Sequence, residues 1–128
     1  MMTAAKPTVL VADDEPDMRE LARVFLEMDG FEIVGEAVDG AQALERFVQL
    51  DPAPVPTVVL LDNRMPVLTG LEAAEQILST HPEQLVVLFS AHLDDAVEVR
   101  ARDLGVAACV SKMDTADLPN ILRTLLSS

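Results

Sequence analysis

The stretch Thr57-Val-Val-Leu-Leu-Asp62 decides the fold class of this chain of 128 residues. Its apolar residues run without interruption, which favours a strand that is covered on both faces. Strands of this kind are typical of parallel sheets in α/β proteins. The run ends on an acid, Asp62, and a carboxylate at the end of a buried strand must be paired or solvated. We therefore expect a polar site where this strand stops.

Four further strands are predicted on either side of this one along the chain. Short β-branched runs alternate with stretches of helical period, which is typical of βαβ units and a parallel sheet. The predicted strands are Val9–Ala12, Phe31–Ala37, Thr57–Leu61, Leu85–Ser90 and Val106–Ser111. The apolar periods predict helices around Met18 to Leu26, Leu44 to Val48, Leu71 to Leu78, Val97 to Leu104 and Leu118 to Leu126, and Asp51 to Pro56 reads as an irregular connection. The sequence thus predicts a doubly wound α/β fold with five parallel strands and five helices.

Polar residues stand at the ends of four of these strands. Asp13 and Asp14 follow the first strand, Asp62 follows the third, Ser90 ends the fourth and Lys112 follows the fifth. In a parallel α/β sheet, ligands bind beyond the carboxyl ends of the strands, where the loops converge. We expect three carboxylates, a hydroxyl and an ammonium group to meet at this edge.

Carboxylates that are gathered in this way need a counterion. Two of them about 4 Å apart repel by roughly 4 kcal/mol at an effective dielectric constant of 20. A hard divalent ion with oxygen ligands relieves this repulsion, and Mg²⁺ typically binds one or two carboxylates, several waters and a phosphate oxygen. A carboxylate beside such an ion can act as a nucleophile and form an aspartyl phosphate. In that reaction Lys112 would balance the phosphoryl charge and Ser90 would donate to a phosphoryl oxygen.

The motifs at these strand ends resemble the signature sites of bacterial response regulator receiver domains. The matching segments are Val9-Leu-Val-Ala-Asp13-Asp14-Glu15, Leu60-Leu-Asp62-Asn63-Arg-Met65-Pro66-Val-Leu-Thr-Gly70, Leu88-Phe-Ser90-Ala91 and Val110-Ser-Lys112. Their order and spacing are those of the family, and together they extend over essentially the whole chain. The resemblance implies a flavodoxin-like sheet of strand order 2-1-3-4-5.

The same resemblance implies a role for each site residue. Asp62 would be the phosphoacceptor, with Asp14 and Asp62 binding Mg²⁺ directly and Asp13 binding it through water. The backbone carbonyl of Asn63 would complete the protein's share of the ligands. A histidine kinase or a histidine phosphotransfer protein would supply the phosphoryl group. The switched output surface would then act on a C-terminal effector domain or a downstream protein, or would form a phosphorylation-dependent homodimer.

Two positions depart from the family pattern. Three residues before the lysine the family usually has Tyr or Phe, and this chain has Cys109. Directly after the lysine the family usually has proline, and this chain has Met113. These departures keep open an alternative, a receiver-like module that binds proteins without taking phosphate. An aspartyl-nucleophile phosphatase is the second alternative, but Arg64 stands where such enzymes usually have a second acid.

The composition narrows the range of partners. The net charge of −13 and the pI of about 4.2 argue against direct binding to nucleic acid or to an anionic membrane. No apolar run approaches the roughly 20 residues that span a bilayer. The single cysteine, Cys109, excludes an intrachain disulfide and fits a reducing compartment. We expect one receiver domain over residues 1–128, in the cytoplasm, that is a switch and not an enzyme.

Overall fold

The computed structural model describes residues 6–50 and 56–127, and all five predicted strands lie within them. The strands are β1 (Thr8–Ala12), β2 (Glu32–Ala37), β3 (Val58–Leu61), β4 (Leu85–Ser90) and β5 (Ala108–Ser111). The helices are α1 (Pro16–Met28), α2 (Gly40–Leu50), α3 (Gly70–Thr80), α4 (Asp95–Leu104) and α5 (Leu118–Leu126), with a 3₁₀ segment (Lys112–Asp117) before α5. All neighbouring strands run parallel in the order β2-β1-β3-β4-β5, so the predicted fold and the implied strand order are confirmed.

The sheet separates two apolar layers, because successive side chains of a strand point to opposite faces. One layer packs β1, β3 and β4 against α2 and α3, and it includes Leu10, Val59, Val86, Phe47 and Ile77. The other layer packs the same strands and β5 against α1 and α5, and it includes Val9, Leu60, Phe89, Leu26 and Leu122. The central strands are therefore buried on both faces, as their uninterrupted apolar runs predicted.

Element boundaries differ from the predictions at a few positions. β5 begins at Ala108, two residues later than predicted, because α4 ends in a turn that includes Val106. Gly105 adopts a left-handed conformation there, with φ of 93°, and the Val106 amide donates to the Ala101 carbonyl at 2.9 Å. The apolar period that predicts α2 includes Phe47 and Val48, and Phe47 is buried, but Val48 is 67% exposed because the buried face of the helix turns toward Ala43. Of the predicted irregular connection, residues 51–55 lie outside the described part of the chain.

The start of α3 is fitted closely against the end of β3. A side chain on Gly70 would place its Cβ atom 2.4 Å from the carbonyl oxygen of Asp62 and 2.9 Å from the Cα atom of Asn63. Thr69 and Glu72 hold the helix start in a capping box, in which each side chain accepts a hydrogen bond from the backbone amide of the other. The peptide that carries Asp62 is thus fixed by the helix that follows it.

We predict that Gly70→Ala lowers the free energy of unfolding by about 2–3 kcal/mol, because the new methyl group meets backbone that cannot move aside. Urea unfolding of both proteins measures the change. Gly35→Ala is the matched control, since its Cβ atom would meet only the end of the Leu10 side chain, at 3.0 Å. Equal stabilities of the Gly70→Ala and Gly35→Ala proteins would contradict the close fit.

Candidate functional site

Asp13 lies buried directly after β1. The residue is 2% exposed, and its backbone amide extends the β1–β2 pairing by donating to the Ala37 carbonyl at 3.0 Å. Its Oδ1 atom accepts a hydrogen bond from the Glu15 amide at 2.9 Å. Pro16 then begins α1, a position that suits a residue without an amide hydrogen. Asp14 and Glu15 are exposed at this helix start, so the loop presents one buried acid and two accessible ones.

Asp62 lies buried after β3, beside the loop that carries Asp13. The residue is 3% exposed, and its amide donates to the Ala12 carbonyl at 2.9 Å. Its Oδ1 atom accepts a hydrogen bond from the Arg64 amide at 3.3 Å. The parallel pairing of β1 and β3 therefore brings two buried carboxylates to one edge of the sheet, as the sequence predicted.

Lys112 brings a positive charge to these acids from the end of β5. Its Nζ atom lies 2.8 Å from Asp13 Oδ2, 3.2 Å from Asp62 Oδ2 and 3.2 Å from Glu15 Oε1. The side chains of Lys112, Asp13 and Asp62 are 8%, 3% and 4% exposed, so the ammonium group and two of its three partners are largely shielded from water. One cation therefore faces three carboxylates in this part of the structure.

The burial of these groups shifts their proton affinities. Burial raises the pKa of Asp13, and the nearby charge of Asp62 adds to this effect, although Lys112 and the Glu15 amide act in the opposite direction. For Lys112, burial alone would lower the pKa, but Asp13 and Asp62 outweigh burial and raise it. Lys112 is therefore fully protonated at neutral pH. Ionisation of the buried Asp13 carboxyl group costs free energy, and the favourable interactions with Lys112 and the Glu15 amide do not fully offset this cost.

An open pocket of about 180 Å³ lies over this charged group. It is lined by Asp14, Glu15, Asp62, Arg64, Ser90, Ala91, His92 and Lys112. Ser90, at the end of β4, is 1% exposed, and its hydroxyl group accepts from the His92 amide at 3.5 Å. The strand ends thus bring together Asp14, Asp62, Ser90 and Lys112 at one pocket, while Asp13 is buried beside Lys112.

The carbonyl oxygen of Asn63, which the family resemblance implies as a metal ligand, is engaged within the β3–α3 loop. That oxygen accepts hydrogen bonds from the amides of Met65 at 3.2 Å and Gly70 at 3.1 Å. The Asn63 side chain is also engaged, because its Oδ1 atom accepts from the Leu71 amide at 3.1 Å. Asn63 therefore shapes the β3–α3 loop, and both lone pairs of its carbonyl oxygen are used there. The sequence motif alone did not reveal these loop hydrogen bonds.

Cys109 and Met113 depart from the family pattern in different environments. Cys109 is half-buried and packs against the apolar layer that contains α3, as expected for a small core residue. Burial raises the pKa of its thiol, and the charge of Glu98 adds to this. The Met113 side chain is 92% exposed, and its amide donates to the Ser111 hydroxyl at 3.1 Å.

Two residues near the acids were not identified from the sequence. Glu15 contacts Lys112, and its position directly after the acidic pair was an available signal. Arg19 donates from Nη1 to the backbone carbonyl of Asp13 at 2.6 Å. No motif pointed to Arg19, because its contact depends on how the first turn of α1 folds back over the loop.

We predict that Asp13→Asn raises the stability of the metal-free protein at pH 7, because a neutral amide avoids the cost of ionising a buried carboxyl. Lys112 keeps Asp62 and Glu15 as partners in this variant. The pKa of Asp13 is higher in the folded protein than in the unfolded chain. The ionised Asp13 therefore destabilises the wild-type fold fully at pH values above the folded-state pKa, and this destabilisation disappears as the pH falls below the ordinary value of 3.8. The stability difference from wild type should shrink over the same range.

Urea unfolding in EDTA at a series of pH values measures this difference. Asp14→Asn is the matched control, since Asp14 is exposed and its replacement should change stability little. An Asp13→Asn protein that is less stable than wild type at pH 7 would contradict the argument.

Comparison with known proteins agrees with this fold. The family profile described as response regulator receiver domain matches residues 9–123. The transcriptional regulatory protein PdtaR of Mycobacterium tuberculosis is 40% identical over 104 residues, which cover 81% of this chain and 48% of PdtaR. Response regulator GacA of Pseudomonas viridiflava is 34% identical over 105 residues, 81% of this chain and 47% of GacA. The chain thus spans about half the length of these curated relatives or less.

Solved structures show the same fold. The signal receiver domain of the putative response regulator NarL from Mycobacterium tuberculosis has a TM-score of 0.81 at 32% identity, and the match covers 98% of this chain and 100% of that one. The response regulator domain of Thermotoga maritima CheB has a TM-score of 0.85 at 24% identity, with 97% and 98% covered, which supports the fold alone. Within residues 6–50 and 56–127, none of the helices has the length and apolar character that a bilayer crossing requires. This chain belongs to the response regulator receiver domain family of two-component signalling.

Proposed function

We propose that this receiver domain takes a phosphoryl group on Asp62 in a Mg²⁺-dependent reaction. The observation that carries this proposal is the placement of Asp62, whose buried carboxylate borders the pocket with Lys112 Nζ 3.2 Å from its Oδ2 atom. A carboxylate on the wall of an accessible pocket can act as a nucleophile. An ammonium group at this distance can hold the charge that a phosphoryl group brings.

The acidic residues fit a hard divalent ion. One carboxylate oxygen from each of Asp13, Asp14, Glu15 and Asp62 can be chosen so that all four lie within 4.8 Å of one another. The buried Asp13 Oδ2 atom has Lys112 nearby, but within the described residues it has no hydrogen-bond donor of suitable geometry. Carboxylate oxygen ligands favour Mg²⁺ over softer metals.

Asp14 and Asp62 would bind the ion directly, and Asp13 would bind it through water. For the backbone ligand we propose the carbonyl of Arg64 in place of that of Asn63. Arg64 lines the pocket, and no donor among the described residues reaches its carbonyl oxygen. When bound, Mg²⁺ would neutralise charge on the acids and on the phosphoryl oxygens.

The protein's own groups then have defined tasks in transfer from a phosphohistidine. An Asp62 carboxylate oxygen forms a bond to phosphorus as the P–N bond breaks, and the electron pair of that bond stays on the imidazole of the donor. Lys112 holds a phosphoryl oxygen by charge, and the Ser90 hydroxyl donates to another. The nucleophile in this step is the Asp62 carboxylate group.

Phosphorylation would then act as a two-state switch through Ser90 and the neighbouring surface. Cys109 offers no aromatic ring to report the change, so we propose that coupling uses backbone or loop motion near Ser90. A histidine kinase or histidine phosphotransfer protein is the proposed donor. An effector domain, a downstream protein or a second copy of the chain would read the switched surface. We further propose that residues 1–128 act as one cytoplasmic domain without catalytic turnover of an external substrate.

Incubation with acetyl phosphate and Mg²⁺, followed by intact mass spectrometry, tests the proposal. We expect the mass of wild type to increase by one phosphoryl group. No increase is expected when EDTA removes the metal, or in the Asp62→Asn protein. Asp103→Asn is the matched control, because it removes an equally charged, exposed acid on α4 that does not line the pocket.

A wild-type protein that stays unmodified by acetyl phosphate and by a phosphorylated histidine kinase would overturn the proposal. A partner that binds wild type and Asp62→Asn equally would then favour the phosphate-independent module. An adduct that persists in Asp62→Asn would place the acceptor at another residue.

A further inference from the structure

Arg19 holds the peptide that joins the two adjacent acids Asp13 and Asp14. Its Nη1 atom donates to the Asp13 carbonyl oxygen at 2.6 Å, a short, charge-assisted hydrogen bond. On the other side of the same residue, the Asp13 amide donates to the Ala37 carbonyl at 3.0 Å. Both backbone polar groups of Asp13 are therefore held by partners outside its own loop.

The Arg19 guanidinium is itself fixed from β2. Its Nε atom lies 3.4 Å from Glu36 Oε1, and the arginine side chain is 17% exposed. The Arg19 amide also donates to the Glu15 carbonyl at 3.1 Å, within the first turn of α1. One planar group thus connects the sheet edge to the β1–α1 loop through two separate nitrogen atoms, which a lysine ammonium cannot do in the same geometry.

We propose that Arg19 is a positioning residue for divalent cation binding, and this inference rests on the proposed function. By holding the Asp13 carbonyl, Arg19 fixes the peptide plane so that the Asp13 side chain stays buried beside Lys112 while Asp14 faces the pocket. Arg19 thus orients Asp13 and Asp14 in the metal-free protein, before the ion binds. Groups that orient metal ligands from behind typically contribute about 10- to 100-fold in metal affinity.

The charge of Arg19 and its positioning role predict opposite effects on Mg²⁺ affinity. A guanidinium group near an acidic site repels a dication, so loss of the charge alone would strengthen Mg²⁺ binding. Loss of the bridge would weaken binding, because the freed loop must be ordered when the ion binds. The direction of the change therefore separates the two roles.

Arg23 provides a matched control for this experiment. It also forms an ion pair with Glu36, but within the described residues it makes no contact with Asp13. Replacement of Arg23 removes one positive charge from Glu36, as replacement of Arg19 does. The hydrogen bond from Arg19 to the Asp13 carbonyl stays in place.

Isothermal titration calorimetry with MgCl₂ on the full chain tests the proposal, with urea unfolding in EDTA as the measure of fold. We expect Arg19→Lys to weaken Mg²⁺ binding by about tenfold, and Arg19→Met to weaken it by less, because loss of the positive charge partly offsets loss of the bridge. Arg23→Met should bind as wild type does, or slightly more tightly. Arg19→Lys is decisive, because it keeps the charge and loses the bridge.

Tighter binding in Arg19→Met with unchanged binding in Arg19→Lys would overturn the proposal in favour of a simple charge effect. Equal weakening in Arg19→Met and Arg23→Met would assign the effect to the Glu36 pair instead and would also overturn it.

Amide hydrogen exchange in EDTA separates failure of this inference from failure of the proposed function. The Glu15 amide, which donates to Asp13 Oδ1 at 2.9 Å, should exchange faster in Arg19→Met than in Arg23→Met. If wild type binds no Mg²⁺, the proposed function fails, and exchange alone decides whether Arg19 orders this loop. Unchanged exchange together with unchanged Mg²⁺ affinity would show that Arg19 has no positioning role.

Discussion

The Lys112 ammonium group makes the buried acidic edge of this protein compatible with folding. Asp13 and Asp62 are buried at the ends of neighbouring parallel strands, and each has an oxygen within 3.2 Å of the lysine nitrogen. Without that cation, two largely desolvated carboxylates would face each other, and removing one partner from a buried ion pair typically costs about 3–5 kcal/mol. Three carboxylates face this one cation, and the proposed Mg²⁺ would offset the remaining negative charge.

The surrounding architecture keeps these groups in place. The parallel pairing of β1 with β3 sets the separation of the two buried acids, and β5 carries Lys112 from the far edge of the sheet. Gly70 allows α3 to start against the Asp62 peptide, and Arg19 holds the Asp13 peptide from the other side. Rigid strands therefore bring the charges together, while contacts from helices fix the peptides that carry them.

Much of this arrangement could be predicted from the sequence, because it depends on local patterns. The uninterrupted apolar run before Asp62 indicated a strand that is buried on both faces, and polar residues at strand ends indicated the functional edge. The 3₁₀ segment from Lys112 to Asp117, the two donors on the Asn63 carbonyl and the reach of Arg19 could not be predicted in this way. Each of these features depends on loop geometry or on contacts between elements that are distant along the chain. Such geometry and contacts leave no periodic pattern in the sequence.

The most direct test of the account is a crystal structure of the protein with Mg²⁺ and beryllofluoride, a stable mimic of the phosphoryl group. We predict beryllium bonded to an Asp62 carboxylate oxygen, an ion ligated by Asp14 and Asp62, and Lys112 in contact with a fluoride. The Asn63 carbonyl should keep its hydrogen bonds to the amides of Met65 and Gly70. A structure in which Asp62 stays unmodified at saturating beryllofluoride, with Lys112 still paired to both buried acids, would contradict the account.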